Sequence, residues 1–298
     1  MFSVFATSYR LGITYRVNSI IYSLKQLPLV RRLLPAALYR SRGLKRFACV
    51  IAILMEILGM FLQKGAYLGI VVLAPVTQLL PPDTWTAGFL HILLFLSIAG
   101  AVSNNRLFDP TRDKYYAIIL MRMDARRFTV SNYIYELLKL FIGFAAFLGV
   151  CAGLGILPWW CVILCPLLPC ALKCISGWYS LRKYEKKRII RNENSPVKAV
   201  WGTIALCWAL AFAPLAFARV LPVLCFPLFT ALSLVLAIYG FSYLCQFRLY
   251  RPMYQVLLNQ STSSVQLNVK KVTDENYRKS ISADVSITSQ KTGYAYFN

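Results

Sequence analysis

Few residues capable of chemistry interrupt the long apolar stretches of this 298-residue chain, and they are widely spaced. An enzyme working inside a membrane needs paired carboxylates or clustered histidines to hold a metal or a general base. The apolar regions offer Glu56, Glu136 and His91, far apart in sequence. Asp109 and Asp113 make an Asp-x-x-x-Asp, but a turn at Asp109-Pro110 and a helix start at Asp113 account for both. Cys161, Cys165, Cys170 and Cys174 recur along one stretch as a metal set might. With one histidine in the chain and no Cys-x-x-Cys, packing as small apolar residues is the better reading for these and the other five cysteines. No Gly-x-x-x-x-Gly-Lys-Ser/Thr occurs, so the sequence offers no phosphate-binding loop for ATP. Glu136 and Lys139, three apart, read as an i,i+3 pair that eases Lys139 toward an interface.

The elements that position these residues are membrane spans. Hydrophobic residues make up 58% of the chain and charged residues 15%, with mean hydropathy +0.56; an ordinary globular chain is roughly 45–50% apolar. That content, with 18 Phe, 18 Tyr and 6 Trp, excludes disorder. Five blocks fit a bilayer: Ala87–Val102, Tyr133–Leu157, Trp159–Leu181, Ala199–Val220 and Val223–Phe247. The first block, Phe47–Leu80, would run about 51 Å as a single helix, longer than the hydrocarbon slab. Glu56 and Gln63-Lys64 break its apolar run. Either it is one long tilted helix, the reading favoured here, or Phe47–Leu62 lies along the interface and the span begins near Gly65.

The net charge of +22 follows from topology rather than from a nucleic-acid partner. Segments Met1–Arg46, Asn104–Ser131, Arg182–Lys198 and Arg248–Asn298 carry nine, six, seven and seven Lys or Arg, 29 of the 33, while the alternate turns hold one. Lys64, Lys139 and Lys173 lie in or near spans, where long stems snorkel. This asymmetry predicts a multi-pass protein of the plasma membrane with both termini cytoplasmic. The predicted fold class is an all-α polytopic bundle of about six transmembrane helices. Its segments are a cytoplasmic N-terminal segment (1–46), a six-span domain (47–247) with a cytoplasmic loop (104–131), and a polar tail or linker (248–298).

Apolar residues Tyr9, Ile13, Val17, Ile20, Leu24 and Leu27 recur at helical spacing, predicting an amphipathic helix lying in the inner leaflet, with packing on protein as the alternative. In the loop, Asp113 before a Tyr and Ile run marks a helix start, and Asp124-Ala-Arg-Arg-Phe a second short helix with an apolar anchor. In the tail, alternation at Val265, Leu267 and Val269 is compatible with a small β element or a linker. The spans are nearly empty of ionisable residues apart from Glu56, which disfavours a secondary transporter. Prolines 75, 166, 169, 214 and 227 favour kinked or broken helices of the kind transporters use.

The run Met123-Asp-Ala-Arg-Arg-Phe-Thr-Val-Ser-Asn-Tyr133 leading into a span resembles the coupling segment of permease subunits of bacterial type-2 ATP-binding-cassette exporters. The layout, and the segment Asn18-Ser-Ile-Ile-Tyr-Ser-Leu-Lys-Gln-Leu-Pro-Leu-Val30, resemble the first half of larger permeases of about twelve spans. The resemblance covers about Tyr9 to Phe247. It implies a non-enzymatic permease whose partners are an ATP-binding-cassette ATPase subunit, a second six-span half or a copy of itself, and the bilayer. ATP and Mg would bind the ATPase subunit, and this chain would hold no cofactor. Asp113, Arg122, Asp124, Arg126, Arg127 and Phe128 would carry the docking, with Glu56, Lys64 and Glu136 at the path or the interface. A non-transporting accessory protein and an intramembrane enzyme are the alternative functions. The substrate, whether drug, peptide or lipid, has no local motif.

Overall fold

A computed structural model describes residues 6–7, 9–10, 13–14, 17, 42–109, 111, 114–190, 197–217 and 219–259. Six helices are long and apolar enough to cross a membrane, and no strand occurs among the described residues. Helix α1 is continuous through Arg42–Ala66, a π-helical stretch Tyr67–Leu73 and Ala74–Leu79, so the long first block is one helix. Then follow α2 (Trp85–Ser103), α3 (Ala125–Gly153), α4 (Cys161–Lys187), α5 (Lys198–Phe212, tightened to a 3-10 turn at Ala213–Phe217) and α6 (Cys225–Gln246). A further short helix, α7, covers residues 250–259.

Helix α4 is central and packs on α2, α3 and α6, while α2 is sandwiched between α4 and α5 and α1 lies along α3. Helix α2 is apolar all round, as burial on every side requires, and Phe89, Ile92 and Leu93 are fully buried. The outward faces expose Leu62, Ile70, Ile163, Leu206, Leu228, Val235 and Ile238, an apolar coat that lipid covers without penalty. Where α6 crosses α4, Gly240 is required: a Cβ there would lie 3.1 Å from Trp178 Cβ and 3.2 Å from the Cys174 carbonyl oxygen. Of the five prolines, Pro166 and Pro169 lie inside α4 and Pro75 inside the continuous α1 just past its π-helical stretch, while Pro227 sits in the first turn of α6 and Pro214 in the 3-10 turn.

The helices project unequally. Helix α2 is about 28 Å long, the length of one bilayer crossing. Level with its Asn104 end, Lys173 Nζ of α4 donates to the Asn104 carbonyl (2.5 Å) and Tyr133 of α3 donates to Asn105 Oδ1 (2.7 Å). From that level α4 continues about 20 Å to Lys187, and α3 begins about 12 Å beyond it at Ala125. A second apolar core fills this extension, with Leu107, Phe108, Ile118, Phe128, Leu181, Tyr184, Tyr250, Met253, Tyr254 and Leu257 buried together. Residues 250–259, within the segment that the sequence reading gave as a polar tail or linker, are a packed helix. The stretch from Asp124 to Phe128 is the first turn of α3 and not a separate short helix. Of the N-terminal apolar stripe, the described residues touch protein: Tyr9 meets the Tyr135 ring edge-on at 5.8 Å, and Val17 packs with Ala48 and Ala52.

Substituting Gly240→Leu is expected to lower stability by about 1–3 kcal/mol, because neither backbone nor Cβ can yield. Gly202→Ala, with nothing within 4 Å, is the neutral comparison. Melting temperature in detergent checks both.

Candidate functional site

Charged side chains collect at the level where α2 ends. Lys139 of α3 donates to Glu56 Oε1 of α1 at 2.9 Å and to Glu136 Oε1 at 3.0 Å, and Arg106 donates to Glu136 Oε2 at 2.8 Å. Tyr135 also donates to Glu56 (3.1 Å) and lies under the Lys139 ammonium, 4.7 Å from the ring centroid. Glu56 and Lys139 are 10% and 20% exposed, so each charge needs its partner: a buried ion left alone costs far more than the pair gains. Lys64, one α1 face further along, packs its stem against Gly143, where a Cβ would lie 2.8 Å from Lys64 Cγ; its ammonium stands 5.8 Å from the Phe144 ring centroid.

Glu56, Lys64, Arg106, Glu136 and Lys139 wall a polar cavity of about 260 Å³ together with Gln63, Asn104, Asn105, Tyr133 and Lys173. The structure thus gathers Glu56, Lys64 and Glu136 into one site, with Arg106, Lys139 and Lys173 beside them. Lys64, Lys139 and Lys173, which the sequence places in or near spans, thus collect at one end of the bundle. Glu136 and Lys139 do form the i,i+3 pair, but Lys139 is clamped between two carboxylates instead of snorkelling. Spacing could not show this, because residues 56, 106, 139 and 173 come from different elements.

The loop after α2 is wound around one cation. Lys114 Nζ donates to the carbonyls of Arg106 (2.9 Å), Leu107 (3.1 Å) and Asp109 (2.8 Å), and stands over the Tyr254 ring at 5.4 Å. Tyr254 donates to the Leu107 carbonyl (2.9 Å), and Asn105 Nδ2 to that of Lys173 (3.0 Å). Burial pushes the Tyr250 phenol well above its ordinary range, so it stays protonated and donates to the Leu244 carbonyl (2.9 Å). A π-helical turn, Tyr115–Leu120, then leads to the tip, closed by Met121 N–H on the Tyr116 carbonyl (2.8 Å).

Of the sequence-predicted docking residues, Asp113 lies outside the described residues. Asp124 caps α3: its Oδ1 accepts from the N–H groups of Arg126 (3.0 Å) and Arg127 (3.4 Å), and its Oδ2 pairs with Arg127 Nε at 3.2 Å. Arg126 donates through Nε to the Cys245 carbonyl, tying α3 to the end of α6. Phe128 is 2% exposed, so it anchors the segment from beneath and offers no surface to a partner. Arg122 and Arg127 are exposed, beside Leu120 and Met121 at 56% and 50% exposure.

The remaining candidates are structural. His91 Nε2 is 3.0 Å from the Leu210 carbonyl and its Nδ1 is 3.4 Å from Leu221 N–H, which joins α2 to α5 and the following turn. Cys161 and Cys165 are buried in the apolar core of the spans.

Removing Lys139 should cost more than removing one of its partners. Lys139→Met, which takes a cation from both Glu56 and Glu136 while Glu136 keeps Arg106, is expected to destabilise by about 3–5 kcal/mol and Glu56→Gln by about 1–3 kcal/mol. The double variant should recover part of the larger loss, and thermal unfolding in detergent measures all three.

No known protein family, no curated protein and no solved structure matches this chain.

Proposed function

We propose that the chain is the membrane-spanning permease subunit of an ATP-driven exporter of the type-2 ATP-binding-cassette kind, set in the plasma membrane with both termini cytoplasmic. The observation that carries this reading is the second apolar core, which binds the 104–124 loop to the projecting ends of α3 and α4 and to α7. A load applied at the loop tip is transmitted to α3 and α4 because Phe128, Leu181 and Tyr254 leave no slack between them. Those same helices carry Lys139 and Lys173 into the polar cavity. A loop that was merely basic would need no such foundation.

The tip has the chemistry of a docking surface. Arg122, Arg127, Leu120 and Met121 combine cations with exposed apolar area. Arg122 adopts φ 51, a left-handed conformation in which glycine is easier to accommodate, so the chain holds an arginine there at a cost of about 1–2 kcal/mol. The ATPase subunit binds at this tip and supplies ATP and Mg. A second six-span half, or a second copy, completes the translocation path, since the cavities here open among the helices of a single bundle. An intramembrane enzyme is a poorer fit, because Glu56 and Glu136 are both committed to Lys139.

The test is purification of the tagged protein from its native membrane in gentle detergent, with mass spectrometry of what accompanies it. The wild-type chain should bring down an ATPase subunit in stoichiometric amount. Arg122→Glu with Arg127→Glu should reduce that subunit by about tenfold or more while the protein still inserts and melts normally. Arg126 is left intact because it holds the Cys245 carbonyl. Undiminished association would overturn the docking assignment.

A further inference from the structure

The end of α4 carries its charge on one side. Leu181 and Tyr184 turn into the second core, while Arg182, Lys183, Lys186 and Lys187 are exposed on the opposite face of the helix. Arg182 with Lys186, and Lys183 with Lys187, are like-charge pairs at i,i+4, which a helix holds at a cost. The dipole of the C-terminal turn favours Lys186 and Lys187, but its influence falls off before Arg182 and Lys183, a turn earlier.

This face continues across the end of the bundle. Tyr243 of α6 donates to Glu185 of α4, and Arg126 of α3 donates to the Cys245 carbonyl of α6, so the ends of the three helices lie side by side. Arg248, also exposed, follows α6. The carboxylates on these ends among the described residues, Asp124 and Glu185, are both engaged: Asp124 caps α3 and pairs with Arg127, and Glu185 accepts from the Tyr243 phenol. Arg126, Arg182, Lys183, Lys186, Lys187 and Arg248 have no ion-pair partner among the described residues. An anionic bilayer surface does not supply the counter-charge for the whole face. From Lys173, which bonds the Asn104 end of α2, α4 runs about 20 Å to Lys186 and Lys187, whereas a headgroup layer of about 5–8 Å and a Debye length of about 8 Å together fall short of that. Nucleic acid would use the cations but leave Leu120 and Met121, exposed at the same end of the bundle, without a role; a protein interface uses both.

We infer that the ends of α3, α4 and α6 receive an acidic protein surface, with Arg182, Lys183, Lys186 and Lys187 facing its carboxylates. The inference rests on the exporter reading for the identity of that protein: the acidic surface belongs to the ATPase subunit, whose contact then extends from the loop tip across to α4. Exposed charges of this kind steer and orient a partner more than they hold it, so the association is salt-dependent.

The experiment is zero-length carbodiimide crosslinking, which joins lysine amines to carboxylates, applied to the full chain purified with its partners from native membrane in gentle detergent. At about 50 mM salt, Lys183, Lys186 or Lys187 should crosslink to aspartates or glutamates of one stoichiometric ATPase subunit, and raising the salt to about 500 mM beforehand should lose those adducts. Lys183→Gln, Lys186→Gln and Lys187→Gln combined should reduce the subunit recovered by about tenfold or more. The same three positions changed to Arg should retain it, since Arg keeps the charge and loses only the reactive amine. Both variants should melt as the wild type does, because the three side chains are exposed. No adduct from these lysines to a partner's carboxylate, adducts indifferent to salt, or full recovery of the subunit with the Gln variant would each overturn the inference. An ATPase subunit recovered without such adducts leaves the exporter reading standing, whereas adducts to one stoichiometric protein that is not an ATPase overturn that reading and leave the acidic surface in place.

Discussion

A charge carried to the depth of a bilayer must be paired, and the bundle is arranged around meeting that requirement at one level. Lys139 is the centre of it. Through Glu56 it fixes the height of α1 against α3, and through Glu136 it fixes Arg106 and hence the first turn of the loop after α2. Each member is satisfied by groups from another element, so none of the four can shift alone without stranding an ion. The apolar helices above this layer pack without directional preference; the polar layer supplies the register that they lack.

Below the layer the physics changes from lipid-covered helices to an ordinary apolar core. Aromatic residues of α7, with Phe128 and Leu181 from the extended ends of α3 and α4, bury the loop that Lys114 winds into shape. The two regimes meet at Asn105, whose amide touches both Tyr133 and the Lys173 carbonyl. A force on the loop tip therefore reaches the cavity through covalent helices and close-packed rings rather than through a flexible tether. The π-helical stretches at Tyr67–Leu73 and Tyr115–Leu120 flank this junction, where a wider turn re-aims the following side chains.

The spans were legible in the sequence because a bilayer demands about 20 apolar residues per crossing, and each of the six blocks overlaps a helix. Their ends at the basic side were not. Helices α3 and α4 run on through Arg127 and Lys187, and hydropathy cannot distinguish a polar helical extension from a loop. Tyr250 and Tyr254 were hidden for the same reason, since their burial depends on a loop 140 or so residues earlier in the chain folding beneath them. In the N-terminal stripe the described Tyr9 and Val17 meet protein, the alternative that periodicity alone left open beside the lipid. The helical character after Asp124 was legible because a cap is local, but its continuity with the span that follows was not. The charge cluster was long-range. Glu56, Arg106 and Lys173 reveal nothing of their proximity until α1, α3 and α4 are packed.

The most direct test of an ATPase-driven permease is to ask what touches the loop tip in a living cell. Met121, exposed and uninvolved in the charge contacts, would be replaced by a photo-crosslinking amino acid, and adducts identified by mass spectrometry. The expected result is a single major adduct with an ATP-binding-cassette ATPase subunit, absent when the crosslinker is placed at Trp159 on the opposite end of the bundle. A correctly inserted protein that gives no nucleotide-binding partner at Met121 would contradict the assignment.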